Sequence, residues 1–181
     1  MDPFDWRDGK DGVDFSSIGL VERLLLITNG TLTDAIEAAF LEPVKLFKLA
    51  VSSSVASEPI EALNLKRGAP VMRREILLQG VNSQTTYVYA KTFIALESLS
   101  SEFREQLANS EIPIGRLWAE HKLETRKELV KIWRIPVSEV SLFFGAEGKG
   151  GLLARTYRVF SGGRPIMLIS EYFPASLNPA K

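Results

Sequence analysis

Two runs near the chain end, "LLARTYRVF" (152–160) and "RPIMLISEYF" (164–173), are joined by Ser161-Gly162-Gly163-Arg164. Glycine takes positive φ without steric penalty, so Gly162-Gly163 suits a two-residue primed turn, and that turn joins only antiparallel strands. A second pair of strand-like runs, "VMRREILLQG" and "TTYVYAKTFI", is separated by the turn signal "VNSQ". Two such hairpins commit the chain to an antiparallel sheet, which needs an apolar layer against one face.

The helical signals supply that layer. From Ser17, the spacing of Ile18, Val21, Leu24, Leu25 and Leu26 predicts a helix that stops at "TNG", where Asn29-Gly30 is suited to positive φ. "TLTDAIEAAF" predicts a second helix, with Thr31 as cap and Asp34 three residues on, as in a capping box. "VKLFKLAVSSSV" reads as a strand and "SSEFREQLA" as a helix, while "RLWAEHKLETRKELVKIWRI" suits either. The expected fold class is therefore α+β, an antiparallel sheet with helices packed on one side. Residues 16–181 form the domain, behind a loosely held arm of residues 1–15 from which Phe4 and Trp6 dock on the body. The chain has no GxGxxG or phosphate-binding loop, and "GAEGKGG" (145–151) reads as a flexible hairpin loop or lid.

Composition narrows the chemistry. The 22 basic and 22 acidic residues balance, so no general attraction to nucleic acid or to an anionic membrane is expected. No cysteine is present and His121 is the single histidine, which disfavours thiolate chemistry and a histidine-rich metal centre; His121 itself, among charged neighbours, reads as a solvated residue. Apolar runs such as Leu24-Leu25-Leu26-Ile27 are too short to span a bilayer, and the polar start does not resemble a signal peptide, so a soluble cytoplasmic protein is expected.

Side chains alternate across a strand, so parity shows which charges point inward. In "PVMRREILLQ", Arg74 shares a face with Met72, Ile76 and Leu78, whereas Arg73 and Glu75 share the wetter one. In the last strand Glu171 shares a face with Met167, Ile169 and Phe173, and a regular two-residue turn places it opposite Ala154, with space beside the carboxylate. Arg158, not Arg155, would then share its face. A buried unpaired charge is costly, so two readings stand: Arg74 and Glu171 form a buried ion pair, or they flank a pocket and answer to a ligand.

These residues lie in stretches that resemble the chorismate lyase (chorismate pyruvate-lyase) family. "LLLITNGTLT", "RREILLQG", "YAKTFI", "IPIGRL" and "SEYFPAS" follow in that family's order between Leu24 and Ser176. The resemblance implies a small internal ligand cavity, no metal or organic cofactor, and a small aromatic or pre-aromatic carboxylate as ligand. It assigns Arg74 to the ligand's carboxylate, Glu171 to its hydroxyl end, and the turn Pro113-Ile114-Gly115 to backbone contacts. A second family arginine appears as Lys91 and a family methionine as Leu32, so the implied site is Glu171 with Arg74, Lys91, Ile114, Gly115 and Leu32.

The implied activity eliminates pyruvate from chorismate to give 4-hydroxybenzoate, a quinone precursor. In this expectation Arg74 clamps the ring carboxylate, Lys91 neutralises the enolpyruvyl carboxylate, and Glu171 handles a proton from apolar surroundings lined by Leu32, Met72, Ile76, Ile114 and Met167. The implied fold also resembles the effector-binding domains of certain helix-turn-helix repressors, whose strands likewise read G-x-P-V-x-R, as in Gly68 to Arg73 here. That similarity implies the alternative of a small-molecule sensor without catalysis.

Overall fold

The structure, a computed structural model, describes residues 13–177. Two short helices open the chain, α1 (Leu20–Ile27) and α2 (Leu32–Phe40). Then follow β1 (Val44–Val55), β2 (Pro70–Gly80) and β3 (Thr86–Ala95), two further helices α3 (Ser101–Asn109) and α4 (Ile114–Glu120), and β4 (Arg126–Ile135), β5 (Leu152–Ser161) and β6 (Arg164–Pro174). The six strands form one sheet in the order β1-β2-β3-β6-β5-β4, with every neighbouring pair antiparallel. The C-terminal hairpin is thus inserted between β3 and β4. The ambiguous stretch resolves into both alternatives, since α4 ends at Glu120 and β4 begins at Arg126.

All four helices cover one face. Leu25, Leu26, Leu32 and Ile36 of α1 and α2 pack with Ile76, Leu78, Val88 and Phe173. Phe103, Leu107, Leu117 and Trp118 of α3 and α4 pack with Met72, Ile94, Met167 and Ile169. The strand residues of both sets share one parity, so two apolar clusters sit side by side on the same face. Across the other face, the short turn Glu139–Phe144 stacks Phe143 on Tyr89 with ring centroids 4.8 Å apart.

Several local expectations are corrected. Gly162 and Gly163 do take positive φ, 54° and 76°, and Ser161 pairs with Arg164. A bulge between Val159 and Phe160 then shifts the register by one residue, so Glu171 stands opposite Arg155 and not Ala154. Asn29 and Gly30 are not among the positive-φ residues. Thr31 precedes α2 without a side-chain capping bond, so the capping box is not formed. "GAEGKGG" contains a tight turn, Glu147–Gly150, with Gly148 packed against the Ser141 backbone so closely that no Cβ would fit. Residues 1–12, with Phe4 and Trp6, lie outside the described residues. Val13 is only 1% exposed and belongs to the apolar cluster under α1 and α2, while Asp14 Oδ1 accepts the Ser16 N–H at 2.8 Å in a local turn.

The β2–β3 hairpin is tied by Glu42, whose carboxylate accepts the N–H groups of Asn82 (2.9 Å) and Ser83 (3.0 Å) and the hydroxyls of Ser83 (2.6 Å) and Tyr87. Those four donors hold the Glu42 carboxyl down at about 2, with the side-chain bonds to Ser83 and Tyr87 as the main causes. Gly80 lies against this carboxylate and leaves no room for a Cβ.

Candidate functional site

Between the two apolar clusters the inward face of the sheet turns polar. Register places Arg74, Thr92, Ile169 and Tyr157 in one cross-strand row, and Ile76, Ala90, Glu171 and Arg155 in the next. The N-terminal turns of α2 and α4 flank these rows and leave an open pocket of about 560 Å³, a volume that includes the solvent at its mouth. Leu32, Arg74, Ile114, Gly115, Lys127 and Glu171 all line it. Met72 and Met167, expected in the lining, belong to the cluster beneath α3 and α4. A methyl at Gly115 would come within 3.1 Å of Thr31 Cγ2, so glycine lets the two helix starts close over the pocket.

Arg74 is 1% exposed, and its guanidinium makes one long bond, from Nη2 to the Ile112 carbonyl at 3.4 Å. Its Nε has no partner among the described residues. Burial alone lowers its pKa to about 10, which still leaves it a cation at neutral pH. A buried cation without a counter-charge is the arrangement expected where an anionic ligand completes the site.

Glu171 does not pair with Arg74. Arg155 Nε donates to its Oε2 at 2.6 Å and the Tyr157 hydroxyl donates to its Oε1 at 2.8 Å. Arg155 is itself fixed by Nη1 donating to the Thr28 carbonyl at 2.9 Å. Burial pushes the Tyr157 hydroxyl well above its usual range, so it stays protonated and available as that donor. The apolar setting expected for Glu171 is therefore polar, and the carboxylate is held as an acceptor facing the pocket. Arg158, expected as its rival partner, points away and pairs with Glu128.

Lys91 is not in the pocket. It pairs across strands with Glu75 and Ser170 on the opposite sheet face, where its ammonium stands 5.5 Å from the Tyr89 ring. Tyr89 in turn donates to Glu75 at 2.6 Å, and Glu75 pairs with Arg73 at 2.5 Å. A cation that sequence reasoning passed over lines the pocket instead, Lys127 of β4. It donates to the Gly30 carbonyl at 2.6 Å and lies 5.3 Å from the Tyr157 ring and 5.8 Å from the Trp118 ring. Burial lowers its pKa, partly opposed by the charge of Glu171. His121 lies outside the site, hydrogen-bonded to Gln106 (2.7 Å) and set edge-on to Phe103. No group of three or more potential metal ligands occurs among the described residues.

The fold is shared with ligand-binding domains of transcriptional regulators. The effector domain of PhnF from Mycobacterium smegmatis superposes with a TM-score of 0.63 at 15% identity, over 82% of this chain and 90% of that one. A GntR-family regulator from Bacillus cereus gives 0.57 at 13% identity, over 76% and 96%. Sequence relatives are nearer. A chorismate pyruvate-lyase of Mycobacterium tuberculosis is 31% identical over 164 residues, 86% of this chain and 80% of the relative. One of Mycobacterium leprae is 30% identical over 160 residues, 86% and 74%. Residues 26–181, which take in α2 to α4, the whole sheet and the pocket, match the family described as Chorismate pyruvate-lyase Rv2949c-like, to which this chain belongs.

Proposed function

We propose that the protein is a chorismate pyruvate-lyase, converting chorismate to 4-hydroxybenzoate and pyruvate. The observation that carries this reading is the buried guanidinium of Arg74, short of partners, in the same pocket as a carboxylate already supplied with donors. A ring with a carboxylate at one end and a hydroxyl at the other satisfies both. Arg74 takes the ring carboxylate, for which the planar guanidinium offers two parallel N–H bonds. Glu171, with lone pairs left over after Arg155 and Tyr157, accepts the ring hydroxyl. Leu32, Ile114 and Gly115 form the roof and present backbone groups to the ring.

In the reaction the bond between the ring carbon and the ether oxygen breaks, the oxygen leaving with the enolpyruvyl group, and the ring carbon bearing the hydroxyl gives up its hydrogen as a proton. The ring becomes aromatic, and the departing enolpyruvyl fragment gains a proton at its methylene to become pyruvate. Aromatisation supplies the driving force, so the protein's part is orientation, exclusion of water and management of that proton. Glu171 is the only carboxylate lining the pocket among the described residues, which supports giving it the proton step in this reading. The scheme calls on no cofactor. No helix among the described residues is long and apolar enough to cross a membrane.

The test is to incubate the purified protein with chorismate and follow both products by chromatography. Equimolar 4-hydroxybenzoate and pyruvate support the reading. Binding of 4-hydroxybenzoate without turnover supports the second reading, a sensor, which the likeness to regulator ligand-binding domains favours.

A further inference from the structure

A second pocket opens against the first. It holds about 980 Å³ counting its mouth, and it shares Thr31, Gly115, Trp118 and Lys127 with the inner one. Its charged lining is Lys122, Arg126 and Lys127, with no carboxylate among the described lining residues. Arg126 has a long contact to Glu128, 3.3 Å, at an exposed position. Lys127, on the boundary, has a carbonyl for a partner and no ion pair among the described residues.

Charge counting across both pockets gives the reason to join them. Arg155 takes up Glu171 in a direct pair, which leaves two cations on the inner lining, Arg74 and Lys127, without an ion pair among the described residues, although Glu171 still acts on Lys127 from a distance. Chorismate has two carboxylates, on the ring and on the enolpyruvyl arm. If Arg74 takes the first, the second needs a cation at the side of the ring, with room for a three-carbon fragment to leave. The outer pocket provides both.

Resting on the lyase reading, we infer that Lys127 and the outer pocket form the site of the enolpyruvyl carboxylate, with Lys127 as the positioning cation and Lys122 and Arg126 lining the way out. Lys127 thus fills the place that sequence reasoning gave to Lys91. The two products then separate by compartment: the aromatic acid stays on Arg74 within, and the short keto acid leaves through the cationic outer pocket. A ligand with one carboxylate uses Arg74 alone and is indifferent to Lys127.

The test uses two stable probes: 4-hydroxybenzoate, and 3-(carboxymethoxy)-4-hydroxybenzoate, which adds a short ether-linked carboxylate beside the hydroxyl. Titration calorimetry on the wild type, Lys127→Met and Lys127→Arg gives the affinities. The expected result is a loss of about tenfold or more for the diacid in Lys127→Met, recovered in Lys127→Arg, with 4-hydroxybenzoate changed by less than about threefold, in line with a single charge-assisted contact. Equal losses for both probes, or none for the diacid, overturn the inference. Wild-type turnover of chorismate is judged separately. Turnover with a diacid indifferent to Lys127 leaves the lyase reading standing and sinks this site. A Lys127-dependent diacid without turnover keeps the second carboxylate site and sinks the lyase reading.

Discussion

At the scale of single residues, the pocket is defined by which charges have partners inside the protein. Arg74 has almost none, so Arg74→Ala should weaken 4-hydroxybenzoate by about tenfold to a hundredfold in calorimetry, the range of a charged hydrogen bond. An unchanged affinity would mean that the carboxylate binds elsewhere. Glu171→Gln keeps the shape but removes the charge, and kcat should fall about a hundredfold or more while ligand affinity stays within an order of magnitude. Turnover at the wild-type rate would strip Glu171 of its role. Arg155→Met leaves the Glu171 carboxylate buried without its cation, and should cost about 3–5 kcal/mol of stability in urea titration. The inward pointing of Arg74 and Glu171 was legible from parity alone, because each interrupts an apolar alternation. Lys91 was misplaced because it was assigned by its match to a family arginine, and with large apolar groups on both faces nothing in "TYVYAKTFI" marks the outward side.

At the scale of elements, register decided what could be read. Both hairpins and the helix-covered antiparallel sheet followed from turn chemistry and periodicity. The partner of Glu171 did not, since a regular two-residue turn was assumed although Pro165 stands beside the one-residue bulge opposite Val159 and Phe160, and that single residue exchanges Ala154 for Arg155. Lys127 was hidden for a related reason: it opens β4 in a stretch whose charges fit helix and strand alike. Another element-level device is the Glu42 clasp on the β2–β3 turn. Its folded pKa, about 2, lies below the ordinary value of 4.5, so its contribution is fully present above that value and is lost as pH falls from there towards 2. Melting temperatures from pH 6 to pH 2.5 should show the wild-type advantage over Glu42→Gln shrinking across that window. A constant difference would mean that the clasp does not titrate with the fold.

At the scale of the whole molecule, a formal charge of zero conceals a local surplus. The outer pocket is lined by three cations, and the inner pocket keeps two once Glu171 is paired. This is how a chain without overall electrostatic character can still select an anion. The pocket also lies between the two helical pairs, and a ligand there touches α2 and α4 as well as the sheet. Saturating 4-hydroxybenzoate should therefore raise the melting temperature, with about 2.7 kcal/mol of stabilisation at a hundred times Kd, and the rise should vanish in Arg74→Ala. A rise of equal size in that variant would place the ligand outside the pocket.

The division of the core into two clusters sets how the molecule breathes. Each helical pair is anchored to its own half of a sheet in which every neighbouring strand from β1 to β4 is paired, so one pair can lift while the strands stay knitted. Escape of an aromatic guest then requires a local excursion rather than global unfolding. In deuterium uptake the amides of α3 and α4 would exchange ahead of those in β3 and β6, and a bound guest would slow the helices far more than the strands.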